Sequence, residues 1–233
     1  HRSGNVHDSH DSIMFMANCI AAVRARLSGA VLESRQDSAF FNDKTVTFLD
    51  SERVQFSISV PFERFSELKD KIEARHRWKR LDAEWEYFES DWAPKCWGNR
   101  YRLLFLRHRV KKQRKEPVQF ELFVPQQEGF EFKVIVTNKT GKAKAILLFH
   151  NGRGAQENVF SELKSQCNMD YVPTRRLCGN LLYYQSAVLA HNLYRELQMT
   201  SRSADRPTTA KRSALWIFQD AASIRQKIIQ RAG

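Results

Sequence analysis

Three charged residues, Arg153, Glu157 and Lys164, follow one another at helical intervals. At about 100° per residue they fall on one narrow helix stripe, with the carboxylate between two cations. Val159, Phe160 and Leu163 form the adjoining apolar stripe, giving the segment a core side and a charged side. An ionised carboxylate held this way suits a metal ligand or a phosphate site. The same spacing also builds ordinary ladders of exposed ion pairs, the commoner outcome on helix surfaces. A second acidic candidate is Asp37, in the run Arg35-Gln36-Asp37-Ser38-Ala39-Phe40-Phe41. It sits where a strand gives way to a helix, the place where α/β proteins carry ligand-binding side chains. Asp is equally a common helix N-cap.

The elements that must position these residues follow from periodicity. A helix is expected over 13–27, capped by Asp11 or Ser12, with Met16, Ile20, Val23 and Leu27 on one face. Residues 30–34 read as a short strand and 40–49 as a helix. Residues 54–60 alternate apolar and polar and read as a strand closed by Pro61. A charged helix over 62–74 turns Phe65, Leu68 and Ile72 inward. This order of helix, strand, helix, strand, helix indicates an α/β architecture. Further on, 101–106, 118–124 and 130–136 read as antiparallel strands, 138–141 as a turn and 145–149 as a strand leading into the charged stripe. A long helix over 177–197 is expected to bury Leu181, Val188, Leu189, Asn192 and Leu193, with His191 packed within the fold. Ser213 caps a last helix over 214–230, with Trp216 and Ile224 inward.

Charge supplies the next constraint. The 233 residues carry a net charge of +12, which favours a polyanionic partner such as nucleic acid. Residues 69–115 hold 15 basic and 7 acidic residues, a net +8. Four of the five tryptophans lie between Trp78 and Trp97. Cations interleaved with aromatic rings can bind phosphates and stack bases; a small β subdomain with a solvated basic hairpin has the same composition. Cys19, Cys96, Cys167 and Cys178 show neither C-x-x-C pairing nor zinc spacing and read as reduced thiols. No apolar run reaches membrane-spanning length and no signal peptide opens the chain, so a cytoplasmic protein is expected. The absent initiator Met suggests a fragment.

The run His150-x2-Arg153-x3-Glu157-x6-Lys164 resembles the Tyr-x2-Arg-x3-Glu-x6-Lys signature of a large group of bacterial insertion-sequence transposases, which are DDE-type enzymes. Gly4-Asn5-Val6-His7 and the segment around Asp37 look like the stretches near that family's second catalytic aspartate. Thr137-Asn138 and Asn180-Leu181-Leu182-Tyr183-Tyr184 occur in the matching order, so the resemblance covers nearly the whole chain. It implies an α/β fold with a ribonuclease-H-like core, a β-rich insertion and C-terminal helices. The segments would be 1–75 and 133–199 for the core, 76–132 for the basic insertion and 200–233 for the helical extension.

By that resemblance Asp37 and Glu157 are the second and third catalytic carboxylates and hold Mg²⁺ or Mn²⁺. Arg153, Lys164 and His150 would contact DNA, and Trp92 or Trp97 would receive a flipped base. The partners implied are the transposon ends and target DNA, bound by a homodimer in the bacterial cytoplasm at the nucleoid. The chemistry implied is in-line displacement at phosphorus, with water and then a 3′-hydroxyl as nucleophile. Two departures stand out. His150 replaces the signature tyrosine, and the family's first catalytic Asp lies upstream of the segment where this sequence begins. The chain therefore resembles the C-terminal two-thirds of a transposase, incomplete as a catalyst. The alternative expectation is a non-catalytic DNA-binding remnant of a decayed element.

Overall fold

The computed structural model describes residues 11–110, 129–152, 154–201, 203 and 217–228. The chain divides between Arg153 and Gly154 into two compact units, each described by itself below.

The first unit begins with helix α1 (Ser12–Arg26), strand β1 (Glu33–Gln36), a 3-10 turn (Ser38–Phe40) and helix α2 (Asp43–Ser51). The helix expected over 40–49 starts later because Asn42 caps it: its side chain accepts from the Thr45 N–H at 2.9 Å. Strand β2 (Gln55–Ser59) follows, then a second 3-10 turn (Phe62–Arg64) and helix α3 (Ser66–Glu73). After these come β3 (Lys79–Arg80), β4 (Trp85–Trp92), β5 (Tyr101–Arg109), β6 (Phe130–Thr137) and helix α4 (Ala143–Asn151). The strand expected over 118–124 lies outside the described residues.

All six strands form one mixed sheet in the order β1-β2-β6-β5-β4-β3. The pair β1 and β2 is parallel and every other neighbour is antiparallel. The described strands that follow residue 76, β3 to β6, thus continue the same sheet as β1 and β2. One face carries the larger core, where Val46, Leu49, Leu68 and Ile72 from the helices meet Phe56, Ile58, Leu103, Phe105, Val134 and Val136. The other face packs Leu104, Leu106 and Ile135 under Ala143, Ile146 and Leu147 of α4. Strand β5 is covered on both sides, so Leu103, Leu104, Phe105 and Leu106 are all fully buried.

Helix α4 replaces the strand expected over 145–149. Its apolar run reads either way at that length, and the buried positions decide it. Ala143, Ile146, Leu147 and His150 are buried at helical spacing, while Leu148 is 64% exposed.

The second unit holds α5 (Gly154–Cys167), α6 (Leu177–Ser201) and α7 (Ala221–Ile228). The buried positions of α6 are Asn180, Ala187, His191 and Gln198. Leu181, Val188, Leu189, Asn192 and Leu193, expected inside, are exposed. Polar contacts organise this unit. Glu162 of α5 pairs with Arg195 of α6 and lies 3.6 Å from His191 Nε2. The Gln198 side chain exchanges two hydrogen bonds with the Gln219 backbone, at 2.8 and 3.0 Å. Asp220 caps α7, accepting from the Ser223 N–H at 2.6 Å. The cap expected at Ser213 and the inward Trp216 lie outside the described residues.

Candidate functional site

Asp37 stands one residue past the carboxyl end of β1 and is half-buried. Its carboxylate oxygen accepts from the Ala39 N–H at 3.0 Å and caps the 3-10 turn. That contact fixes the carboxylate's orientation at the end of a strand. Register extends the frame: Gln36 is opposite Ile58 on the parallel β2, which brings Asp37 level with Ser59. Beside the turn opens a cleft bordered by Ser38, Phe41, Asn42, Lys44, Arg64 and Phe65.

The opposite sheet face ties this strand end to α4. Arg35 donates to the Phe149 carbonyl at 3.2 Å, and its guanidinium lies 5.0 Å from the Phe149 ring centre. A cation at the last carbonyls of a helix also complements the helix dipole. Gly152 leaves room for that side chain, since a Cβ there would stand 2.1 Å from Arg35 Nη1. On the same ring, Lys139 Nζ lies 4.3 Å from the centre and bonds Glu33 at 2.5 Å and Gln55 at 2.6 Å. A buried ammonium needs such partners.

His150 is 1% exposed. Its Nδ1 is 3.0 Å from Ser57 Oγ and its Nε2 is 3.0 Å from Ser59 Oγ. Serine hydroxyls donate or accept, so they satisfy either neutral tautomer of the ring. The expectation that His150 contacts DNA is corrected by this burial, because the ring faces β2 rather than solvent. The sequence does not single out Ser57 and Ser59; their signal is two serines on the polar face of an alternating strand. Lys139 had no such signal.

Trp92 also departs from expectation. It is 7% exposed, packs edge-on against Phe65, and donates its indole N–H to Glu67 at 2.7 Å. Stacking on a flipped base would require opening the core around it. Trp97 is half-buried, with its ring 4.9 Å from that of Phe41.

In the second unit, Glu157 is in the first turn of α5 and Lys164 in its last, both exposed. The helix thus carries both on one stripe, as the spacing requires. Arg153 lies outside the described residues. On the adjoining stripe Leu163 is buried, whereas Val159 and Phe160 are 38% and 47% exposed. Among the described residues no group of three or more His, Cys, Asp or Glu side chains converges on a metal position. Asp37 in the first unit and Glu157 in the second each present carboxylate oxygens, donors of the kind a hard divalent cation takes.

Comparison with known proteins adds a family. The family described as transposase DDE domain group 1 matches residues 1–229. No curated protein matches the chain.

Proposed function

Because the chain belongs to the transposase DDE domain group 1 family, we propose that it is the phosphoryl-transfer part of a DNA transposase, cleaving and joining insertion-sequence ends on a ribonuclease-H-like core. The observation that carries this reading is the fixed carboxylate of Asp37 at the carboxyl end of β1, beside parallel β2. Ligand-binding residues of open α/β sheets collect at that end of the strands. Residues 76–132 are then the family's β-rich insertion, added to the sheet beyond β2.

In this reading Asp37 and Glu157 are two of the carboxylates that hold Mg²⁺ or Mn²⁺. The bound cation supplies charge neutralisation at the phosphate and a more acidic nucleophile. Arg153 and Lys164, spaced at helical intervals from Glu157 in the sequence, neutralise backbone phosphate. Arg35, Lys139 and the Ser57–His150–Ser59 contacts keep the end of β1 in place, which preserves the geometry that in-line displacement requires. Trp97 remains the candidate for stacking an unpaired base, whereas Trp92 and His150 serve the fold. Joining two ends implies two copies of the chain on DNA at the nucleoid.

The test is substitution of Glu157→Gln in the complete protein, assayed on labelled element-end DNA with Mg²⁺. Cleavage should fall at least about a thousandfold, comparable to losing a principal transition-state contact, with DNA binding retained. Cleavage at the parental rate would overturn the assignment.

A further inference from the structure

The segment Arg75-His76-Arg77-Trp78-Lys79-Arg80 brings the chain into β3, the last strand of the sheet. Arg75, His76, Arg77, Lys79 and Arg80 are all exposed. Among the described residues none of these five forms an ion pair, although Glu73 and Glu84 flank them on the surface. The carboxylate of Asp82 is engaged elsewhere: it accepts from the Glu84 and Trp85 N–H groups at 3.0 and 2.9 Å. Those two amides first, and then the charges of Lys144 and Arg80, hold its pKa below the ordinary aspartate value.

The cations are nonetheless held in place. Arg75 Nε donates to the Arg77 carbonyl at 2.8 Å, and its guanidinium lies 5.0 Å from the Phe88 ring centre. Arg80 Nε donates to the Asp82 carbonyl at 3.0 Å. Trp78 anchors the middle of the segment, packing on Phe88 at 4.7 Å and donating its indole N–H to the Arg75 carbonyl at 3.1 Å. The Arg75 and Arg80 guanidiniums thus each have a backbone tether and N–H groups left over for an anion. Exposed cations that the fold already tethers lose less entropy on binding than free side chains.

We propose that this ridge is a second DNA contact, which grips the phosphate backbone away from the reacting strand. It rests on the reading of the chain as a DNA transposase. Five strand spacings separate β1, which carries Asp37, from β3, about 24 Å across the sheet. That is less than one turn of B-form DNA, about 34 Å, so a single short duplex reaches both places. The ridge offers cations without apolar anchors: among the described residues no large hydrophobic side chain between 32 and 147 is exposed. A membrane-surface segment pairs its basic face with exposed apolar residues, and this one has none. The contacts are to phosphate, so they position the duplex without reading its sequence.

The experiment measures affinity of the full chain for duplex DNA between about 50 and 200 mM salt. It compares the parent with Arg75→Ser/Arg77→Ser/Lys79→Ser/Arg80→Ser and with Arg75→Lys/Arg77→Lys/Arg80→Lys. Loss of four phosphate contacts should reduce the slope of log K against log salt by about 3 to 4 and weaken binding at least tenfold. The lysine variant should keep the parental slope. The same urea midpoint in parent and variants excludes misfolding as the cause. DNA binding by the parent with an unchanged slope in the serine variant overturns the ridge alone. A parent that does not bind duplex DNA overturns the transposase reading, and the ridge with it. Ridge-dependent binding to phosphatidylserine vesicles, with DNA affinity unaltered, would assign the cations to a membrane instead.

Discussion

At the scale of single residues, the histidine at the first signature position serves the fold. His150 spends both ring nitrogens on Ser57 and Ser59 and is closed off from solvent. Replacing it with Ala removes the ring and takes this partner from the buried Ser57 and half-buried Ser59 hydroxyls, a loss of about 2–4 kcal/mol. His150→Tyr, which restores the family signature, should also destabilise, by about 1–3 kcal/mol, because a phenol overfills a pocket built for imidazole. Urea unfolding measures both, and a more stable tyrosine variant would contradict the tethering role. A second residue-scale prediction concerns Glu67. The Trp92 indole N–H, followed by Lys95 and Lys71, holds its carboxyl below the ordinary glutamate value. A lowered folded pKa contributes stability above the unfolded value, and that contribution is lost as pH falls through the folded value. Trp92→Phe should therefore move the Glu67 titration upward and reduce the acid sensitivity of folding. Carboxyl NMR titration detects the shift, and an unmoved Glu67 would exclude the indole as its cause.

At the scale of elements, legibility followed the kind of contact that defines each one. Strand β2 and helix α3 were readable because apolar side chains alternate, or recur at helical spacing, against one core. Helix α4 was misread as a strand because five consecutive mostly apolar residues satisfy both patterns. The deciding fact was which of them the sheet covers. Ile146→Ala should cost about 2–4 kcal/mol, while Leu148→Lys should stay within about 0.5 kcal/mol of the parent. Equal losses at the two positions, read by thermal unfolding, would point to the strand. Helix α6 forms where its periodicity predicts it, but a different face is buried. Its leucines form a plausible core stripe, yet Asn180, Ala187, His191 and Gln198 are the buried positions. Pairing of Glu162 with Arg195, and of Gln198 with Gln219, joins residues far apart in sequence. Periodicity carries no information about such partners. Asp37 stands out in the sequence as a candidate site residue only through its strand-to-helix location and the family resemblance. The serine pair that holds His150 was visible but had no local chemistry to mark it.

At the scale of the whole molecule, one sheet receives strands from distant stretches of chain. Thr137 on β6 donates its hydroxyl to the Phe56 carbonyl on β2, across 81 residues. Strand β2 therefore cannot complete its pairing until β6 has been made. At a synthesis rate of about 5–20 residues per second, the delay is about 4–16 s, long by comparison with the microseconds in which a helix forms. During that interval Phe56 and Ile58, fully buried in the finished protein, have no β6 to cover them. A newly made chain of this design depends on how the cell shelters it during translation. Its yield should be set by chaperone capacity and translation speed before any property of the folded state comes into play.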